Sequence, residues 1–214
     1  MSQIKAILFD LDGTLFNRQQ SIAAYAQQLV LDLQMKENHA HFVDTFLKLD
    51  NHGYANKAEV YGALQKQFDL LCTETWFLRH WEEHAWLHPQ CHDHADTLLV
   101  ELRNKGIKTG IITNGITAFQ RTKIKNLHLE DRVDVILISE EIGYQKPDPT
   151  IFSLAANTLG VLNSECIFIG DHLEHDVLGS TAAGMKGILY DTYNSYPKES
   201  VQKMKNLREV LHFV

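Results

Sequence analysis

From His88 onward the chain alternates between two hydrophobic rhythms, and that alternation constrains its fold more than any other feature. Residues 94–106, HADTLLVELRNKG, place Ala95, Leu98, Leu99 and Leu102 on one helix face and close on Gly106, a residue suited to a helix C-terminus. A short apolar run, IKTGIIT at 107–113, follows as a strand. The pattern continues with a helix near 117–127, a strand at 133–139 (VDVILIS) and a helix after Pro149. A strand at 166–170 (CIFIG), a helix near 176–184 and a strand at 187–190 (GILY) complete it. Strands joined through helices pair in parallel and need cover on both faces, so this region predicts an α/β domain.

One strand stands far from the others. Ile7, Leu8 and Phe9 read as the end of a buried strand, yet the next strand–helix unit begins only near residue 88. Connections in α/β units take roughly 2–6 residues, so the intervening segment is an insertion. Its periodicity is helical. SIAAYAQQLVLDLQ carries Ile22, Tyr25, Ala26, Leu29, Val30 and Leu33 on one face, and KAEVYGALQKQF carries Val60, Tyr61, Leu64 and Phe68. Asn51 and Gly53 mark a loop between them. The expected organisation is a Rossmann-like parallel-sheet core, residues 1–16 and 88–214, with an inserted α-helical cap at 17–87.

The chain of 214 residues, 44% hydrophobic, is long enough to bury a full core. Twenty basic against 27 acidic residues give a net charge of −7, which argues against non-specific nucleic-acid binding. No apolar run has membrane length, and no charged-then-apolar leader precedes the first strand. Cys72, Cys91 and Cys166 form no CxxC pair and leave an odd count, which fits a reducing cytoplasm better than a disulfide framework. The expectation is a soluble cytoplasmic protein, monomer or homodimer, with neither nucleic-acid nor membrane partners.

Ligands of open α/β sheets bind beyond the carboxyl ends of the strands. There the sequence places Asp10 and Asp12 after the first strand, Thr113-Asn114-Gly115 after the second, Lys146 after the third, and Asp171 and Asp176 after the fourth. Asp10 and Asp12, two apart along the strand, are expected to face the same way and to sit together. Like charges gathered beside an apolar layer imply a cation among them. Hard divalent ions such as Mg²⁺ take oxygen ligands and share them with substrate phosphate, and no zinc-type His/Cys set accompanies these acids. A lysine beside them points to a ligand that brings negative charge of its own.

DLDGTL, ITNG, KPDP and GDHLEHD, in that order, resemble the four signature motifs of the haloacid dehalogenase (HAD) superfamily. The resemblance spans the chain, since the motifs run from residue 10 to 176 and the insertion matches the helical cap of subfamily IA-like members. It implies that Asp10 is a nucleophile forming an aspartyl-phosphate and that Asp12 is the general acid and base. It further implies that Thr113 and Asn114 bind the phosphoryl group, that Lys146 neutralises charge on nucleophile and phosphate, and that Asp171 holds Mg²⁺ with Asp10 and the Asp12 carbonyl. Asp176 matches the last acid of the fourth motif and, by the same resemblance, would act behind the metal ligands or through a metal-bound water. The implied activity is a Mg²⁺-dependent phosphatase for a small phosphorylated metabolite. A phosphomutase shares the set, a dehalogenase would not need Asp12, and a non-catalytic binder would be expected to have lost one of Asp10, Asp12 and Asp171.

Other residues read more plainly. His80, His84 and His88 fall at helical spacing as a polar face, with His92 and His94 following Cys91. His172 and His175 flank the acids of the fourth motif. Trp76, Trp81 and Trp86 are expected to pack the cap. By analogy with helical-cap relatives, Tyr54 and Lys57, beside Gly53, are candidates for substrate contact.

Overall fold

The computed structural model describes residues 3–36, 38–53 and 55–214, and the chain divides into two units. One runs up to Phe16 and resumes at Cys91; the other spans Asn17–Gln90. The second unit contains α1 (Arg18–Asp32), α2 (His39–Asp50), α3 (Lys57–Phe68) and α4 (Glu74–His84). Three of these open on side-chain caps, with Asn17, Asn56 and Thr73 accepting from backbone N–H groups one turn inside. The unit closes at Gln90, whose carbonyl accepts from Asn17 N–H at 2.7 Å and whose own N–H donates to Ser21 Oγ at 2.9 Å.

The apolar faces of this unit meet in an aromatic core. Tyr25 stands edge-on to Phe46 and Trp81 at 5.7 and 5.1 Å, and Phe46 stacks on Trp81 at 6.0 Å. Trp81 and Trp86 are buried, while Trp76 is partly exposed. His80 departs from the polar-face expectation: it is buried, because its two ring nitrogens meet Tyr25 Oη at 3.1 Å and Asp32 Oδ2 at 2.9 Å. His88 lies beyond the end of α4.

The first unit is α/β. Among the described residues, β1 (Ala6–Phe9), β2 (Lys108–Thr113), β3 (Val135–Ile138), β4 (Cys166–Gly170), β5 (Lys186–Tyr190) and β6 (Lys203–Met204) form one parallel sheet. Their order is β3-β2-β1-β4-β5-β6. The helices α5 (Ala95–Asn104), α6 (Thr117–Asn126), α7 (Ser139–Ile142), α8 (Pro149–Leu159) and α9 (Gly179–Ala182) connect them. Ala6 and Leu8 point into a layer shared with Ile112, Val135, Leu137 and the α8 residues Ile151, Phe152 and Ala155. Phe152 meets Phe168 edge-on at 5.0 Å. Every residue of β1 is buried, which explains its uninterrupted apolar run.

This order positions the site. From β1 the chain builds outward through β2 to β3, then returns to place β4 on the other side of β1. The carboxyl end of β1 is therefore the switch point of the sheet, where a crevice opens. The element after β4 differs from the expected helix at 176–184: a wide π-helical turn, Leu173–Leu178, comes first and α9 follows. His172 Nδ1 accepts from His175 N–H, and Asp176 Oδ2 accepts from His172 N–H, so this turn folds back over the end of β4.

Candidate active site

β1 stops at Phe9, and Asp10 stays tied to the sheet through its N–H, which donates to Ile169 O at 2.8 Å. Its carboxylate is buried. Lys146 Nζ donates to Asp10 Oδ1 and to Asp176 Oδ1, each at 2.6 Å, and Thr14 Oγ1 donates to Asp10 Oδ2 at 3.3 Å. Lys146 and Asp176 are as buried as Asp10, at 3% and 1% exposure, so this is an interior charge network and not a surface ion pair. Its lysine is fixed from behind: the Asn114 side chain accepts from Lys146 N–H at 2.8 Å and donates to Lys146 O at 2.9 Å. Asn114, expected at the substrate, thus holds the loop that carries the lysine.

Asp12 goes elsewhere. The strand argument for its pairing with Asp10 fails because β1 ends before both residues. Lys123 Nζ reaches the two Asp12 carboxylate oxygens at 2.6 and 2.7 Å, and Gln120 Nε2 donates to Asp12 Oδ2 at 2.8 Å. The same Gln120 nitrogen donates to Thr113 Oγ1 at 2.5 Å, placing the expected phosphoryl-binding hydroxyl in this second network. Gln120, Lys123 and Thr14 were not singled out from the sequence. A signal for the first two existed. Gln120, Lys123, Ile124 and Leu127 share a helical face, and two polar residues on a stripe continued by Ile124 and Leu127 imply a buried polar partner.

One oxygen from each of Asp10, Asp171 and Asp176 lies within 4.8 Å of the others. Burial pushes the Asp10 carboxyl up to about 7 against the pull of Lys146, with Asp176 adding to the rise. Asp171 is also raised well above the usual carboxylate range, by burial first and then by Asp10 and Asp176. Burial works against the Lys146 charge, but Asp10 and Asp176 outweigh it and hold the ammonium above its ordinary range. Three carboxylates around one ammonium leave more acidic than basic groups in a largely buried setting. A hard, oxygen-seeking divalent cation fits this donor set. The carboxylate cluster includes Asp176, while the Asp12 carboxylate, engaged with Lys123, stands apart from it.

Two glycines permit this crowding. A Cβ on Gly13 would stand 2.1 Å from Asp171 Oδ2, and Gly13 has φ +88, where other residues are strained. A Cβ on Gly170 would stand 2.2 Å from Asp176 Oδ2. Gly13→Ala is therefore expected to displace Asp171 and lose at least about 1–2 kcal/mol of stability. Thermal unfolding with and without Mg²⁺ checks this, and a variant with wild-type stability and an undiminished response to the ion would refute it.

Of the residues expected at substrate in the helical unit, Tyr54 lies outside the described residues. Lys57 Nζ is bonded to Asp50 Oδ1 at 2.8 Å and to Ala55 O at 2.9 Å, and lies over the Trp81 ring at 4.9 Å. Arg18 also grips Asp50, at 3.0 Å.

A family model described as haloacid dehalogenase-like hydrolase matches residues 7–190. Among curated proteins, the chain is 30% identical to a ribulose-1,5-bisphosphate 5-phosphatase of Halopiger xanaduensis, over 98% of this chain and 94% of that one. It is 32% identical to a glyceraldehyde 3-phosphate phosphatase of Methanopyrus kandleri, over 85% and 82% of the two chains. Among solved structures, a HAD phosphatase from Thermococcus onnurineus aligns with TM-score 0.65 and 27% identity over 97% of this chain and 98% of that one. A HAD hydrolase of Bacillus subtilis shares the fold at TM-score 0.77 and 20% identity, over 99% and 98%. With the motifs at the ends of β1 to β4, these matches establish that the chain belongs to the haloacid dehalogenase-like hydrolases.

Proposed function

We propose that this hydrolase is a Mg²⁺-dependent phosphatase that cleaves a small phosphate monoester through an aspartyl-phosphate on Asp10. The observation that carries the reading is the buried bridge of Lys146 between Asp10 and Asp176, with Asp171 beside it. Such a site neutralises a nucleophilic carboxylate and an incoming dianion together, which is what phosphoryl transfer requires. Asp10, Asp171 and the backbone carbonyl of Asp12 are the residues that would hold the ion, with the Asp176 carboxylate in the same cluster beside them. When bound, Mg²⁺ neutralises charge on the phosphoryl oxygens and orients the group.

The protein's own residues divide the remaining work. The Asp10 carboxylate forms an O–P bond as the ester P–O bond breaks, its electron pair passing to the leaving oxygen. That oxygen takes a proton from Asp12. In the second half, Asp12 removes a proton from water as the water oxygen attacks phosphorus, and the bond to Asp10 breaks. Covalent catalysis thereby replaces one hard displacement by two easier ones. Lys146 and the Thr113 hydroxyl contact the phosphoryl oxygens. The presence of Asp12 favours phosphate chemistry over dehalogenation, and the names of the two curated relatives, a ribulose-1,5-bisphosphate 5-phosphatase and a glyceraldehyde 3-phosphate phosphatase, support a small phosphorylated substrate. The helical unit, residues 17–90, is the proposed cap.

Hydrolysis of para-nitrophenyl phosphate by the full chain tests the reading. Turnover is expected with Mg²⁺ and is expected to drop to background with excess chelator. Undiminished hydrolysis in chelator would remove the metal from the scheme, and inactivity on a broad panel of phosphate esters would overturn the phosphatase assignment.

A further inference from the structure

Helix α6 presents two buried polar side chains to the same point. Lys123 and Gln120 are each 3% exposed, and neither belongs to the four motifs. Lys123 Nζ meets both oxygens of Asp12, and its ammonium lies over the Phe16 ring at 5.3 Å. Gln120 Nε2 bonds Asp12 Oδ2, Thr113 Oγ1 and Asn114 O, at 2.8, 2.5 and 3.2 Å. A lysine side chain is rarely this buried without a task for its charge. We propose that Lys123 and Gln120 are positioning residues. They lock the Asp12 carboxylate in one orientation and couple it to Thr113, so that the proton donor and the phosphoryl-binding hydroxyl act as one unit.

The geometry suits that role better than plain fold stabilisation. A single ammonium gripping two oxygens fixes the carboxylate plane, and the amide removes the remaining freedom of Oδ2. Proton transfer depends on such alignment, because the reacting proton must travel within hydrogen-bond reach of the leaving oxygen. Lys146 Nζ bonds the nucleophile Asp10 and Asp176, whereas Lys123 Nζ bonds both oxygens of Asp12. Removing Lys123 is therefore expected to spare the nucleophile and impair only the step in which Asp12 transfers a proton.

The inference rests on the phosphatase reading, and the test separates the two. Para-nitrophenyl phosphate releases a weakly basic phenolate that departs without a proton, whereas benzyl phosphate, of similar size, releases a strongly basic alkoxide that needs one. The quantity kcat/KM reports events up to departure of that group. For Lys123→Met, kcat/KM on benzyl phosphate is expected to fall about 100-fold or more, the scale of general acid catalysis, while the value on para-nitrophenyl phosphate changes little. Gln120→Leu also releases the Thr113 hydroxyl, so it is expected to lose kcat/KM on both esters but more on benzyl phosphate, and it carries the test if Lys123→Met does not fold by circular dichroism. Equal losses on the two esters, or none, would overturn the inference alone. Wild-type inactivity on both esters, or full activity in Asp10→Asn, would overturn the underlying reading and this inference with it.

Discussion

Asp10→Asn is expected to lose more than about 10⁴-fold in turnover of para-nitrophenyl phosphate while keeping its fold, a loss on the scale of removing a nucleophile elsewhere. The substitution preserves size and leaves Lys146 its partner Asp176, so the charge network survives without its reactive member. An amide oxygen cannot form a stable acyl phosphate, so the covalent path closes. Stability should move the other way. Burial pushes the Asp10 carboxyl up to about 7, which means the folded chain opposes its ionisation. Above that pH, in chelator, the neutral asparagine escapes the cost, and the variant should melt no lower than wild type. Rapid acid quench after mixing with labelled substrate is expected to trap a hydroxylamine-sensitive phosphoprotein from wild type and none from the variant. Activity within tenfold of wild type, or equal labelling, would exclude Asp10 as the nucleophile.

What could be read from the chain, and what could not, follows from the range of the forces involved. The α/β core was legible because parallel strands buried on both faces become continuous apolar runs, as in AILF and CIFIG. The gathering of Asp10, Thr113, Lys146 and Asp171 at one sheet edge also followed, since topology alone brings strand ends together. Partner choice did not. Lys123 reaches Asp12 across 111 positions, and helical spacing tells which way Lys123 faces but not what it meets. Local polar contacts escaped for a related reason. His80 sits at a spacing that suits a polar face, yet Tyr25 and Asp32 satisfy both its ring nitrogens and make its burial tolerable. The π-helical turn at Leu173–Leu178 depends on backbone and side-chain bonds around His172 and Asp176, which hydrophobic periodicity does not register. β6 spans only Lys203–Met204, too short to show a period at all.

Lys146→Met is expected to be the most destabilising single change in the site, and its cost should depend on pH. The methionine fills similar volume but leaves Asp10 and Asp176 without the ammonium that bridges them. Breaking a buried ion pair by deleting one partner costs about 3–5 kcal/mol, which for a chain of this size lowers the melting temperature by roughly 10 °C. The sign with pH follows from proton uptake. In wild type the Asp10 carboxyl titrates near 7 when folded, against an ordinary value of 3.8, so the folded state holds the proton more tightly. Stability from this group is complete below the ordinary value and is lost as pH rises through the folded one. Lys146 opposes that rise, so removing it drives the folded Asp10 and Asp171 carboxyls higher and steepens the loss. The deficit of Lys146→Met relative to wild type, measured by thermal unfolding in chelator, is therefore expected to be small at pH 5 and large at pH 8. Added Mg²⁺ should recover part of it at pH 8, since a cation among Asp10, Asp171 and Asp176 restores positive charge to the cluster. A deficit equal at both pH values would mean that Lys146 supports the fold through packing alone, and the charge balance argued for the site would have to be abandoned.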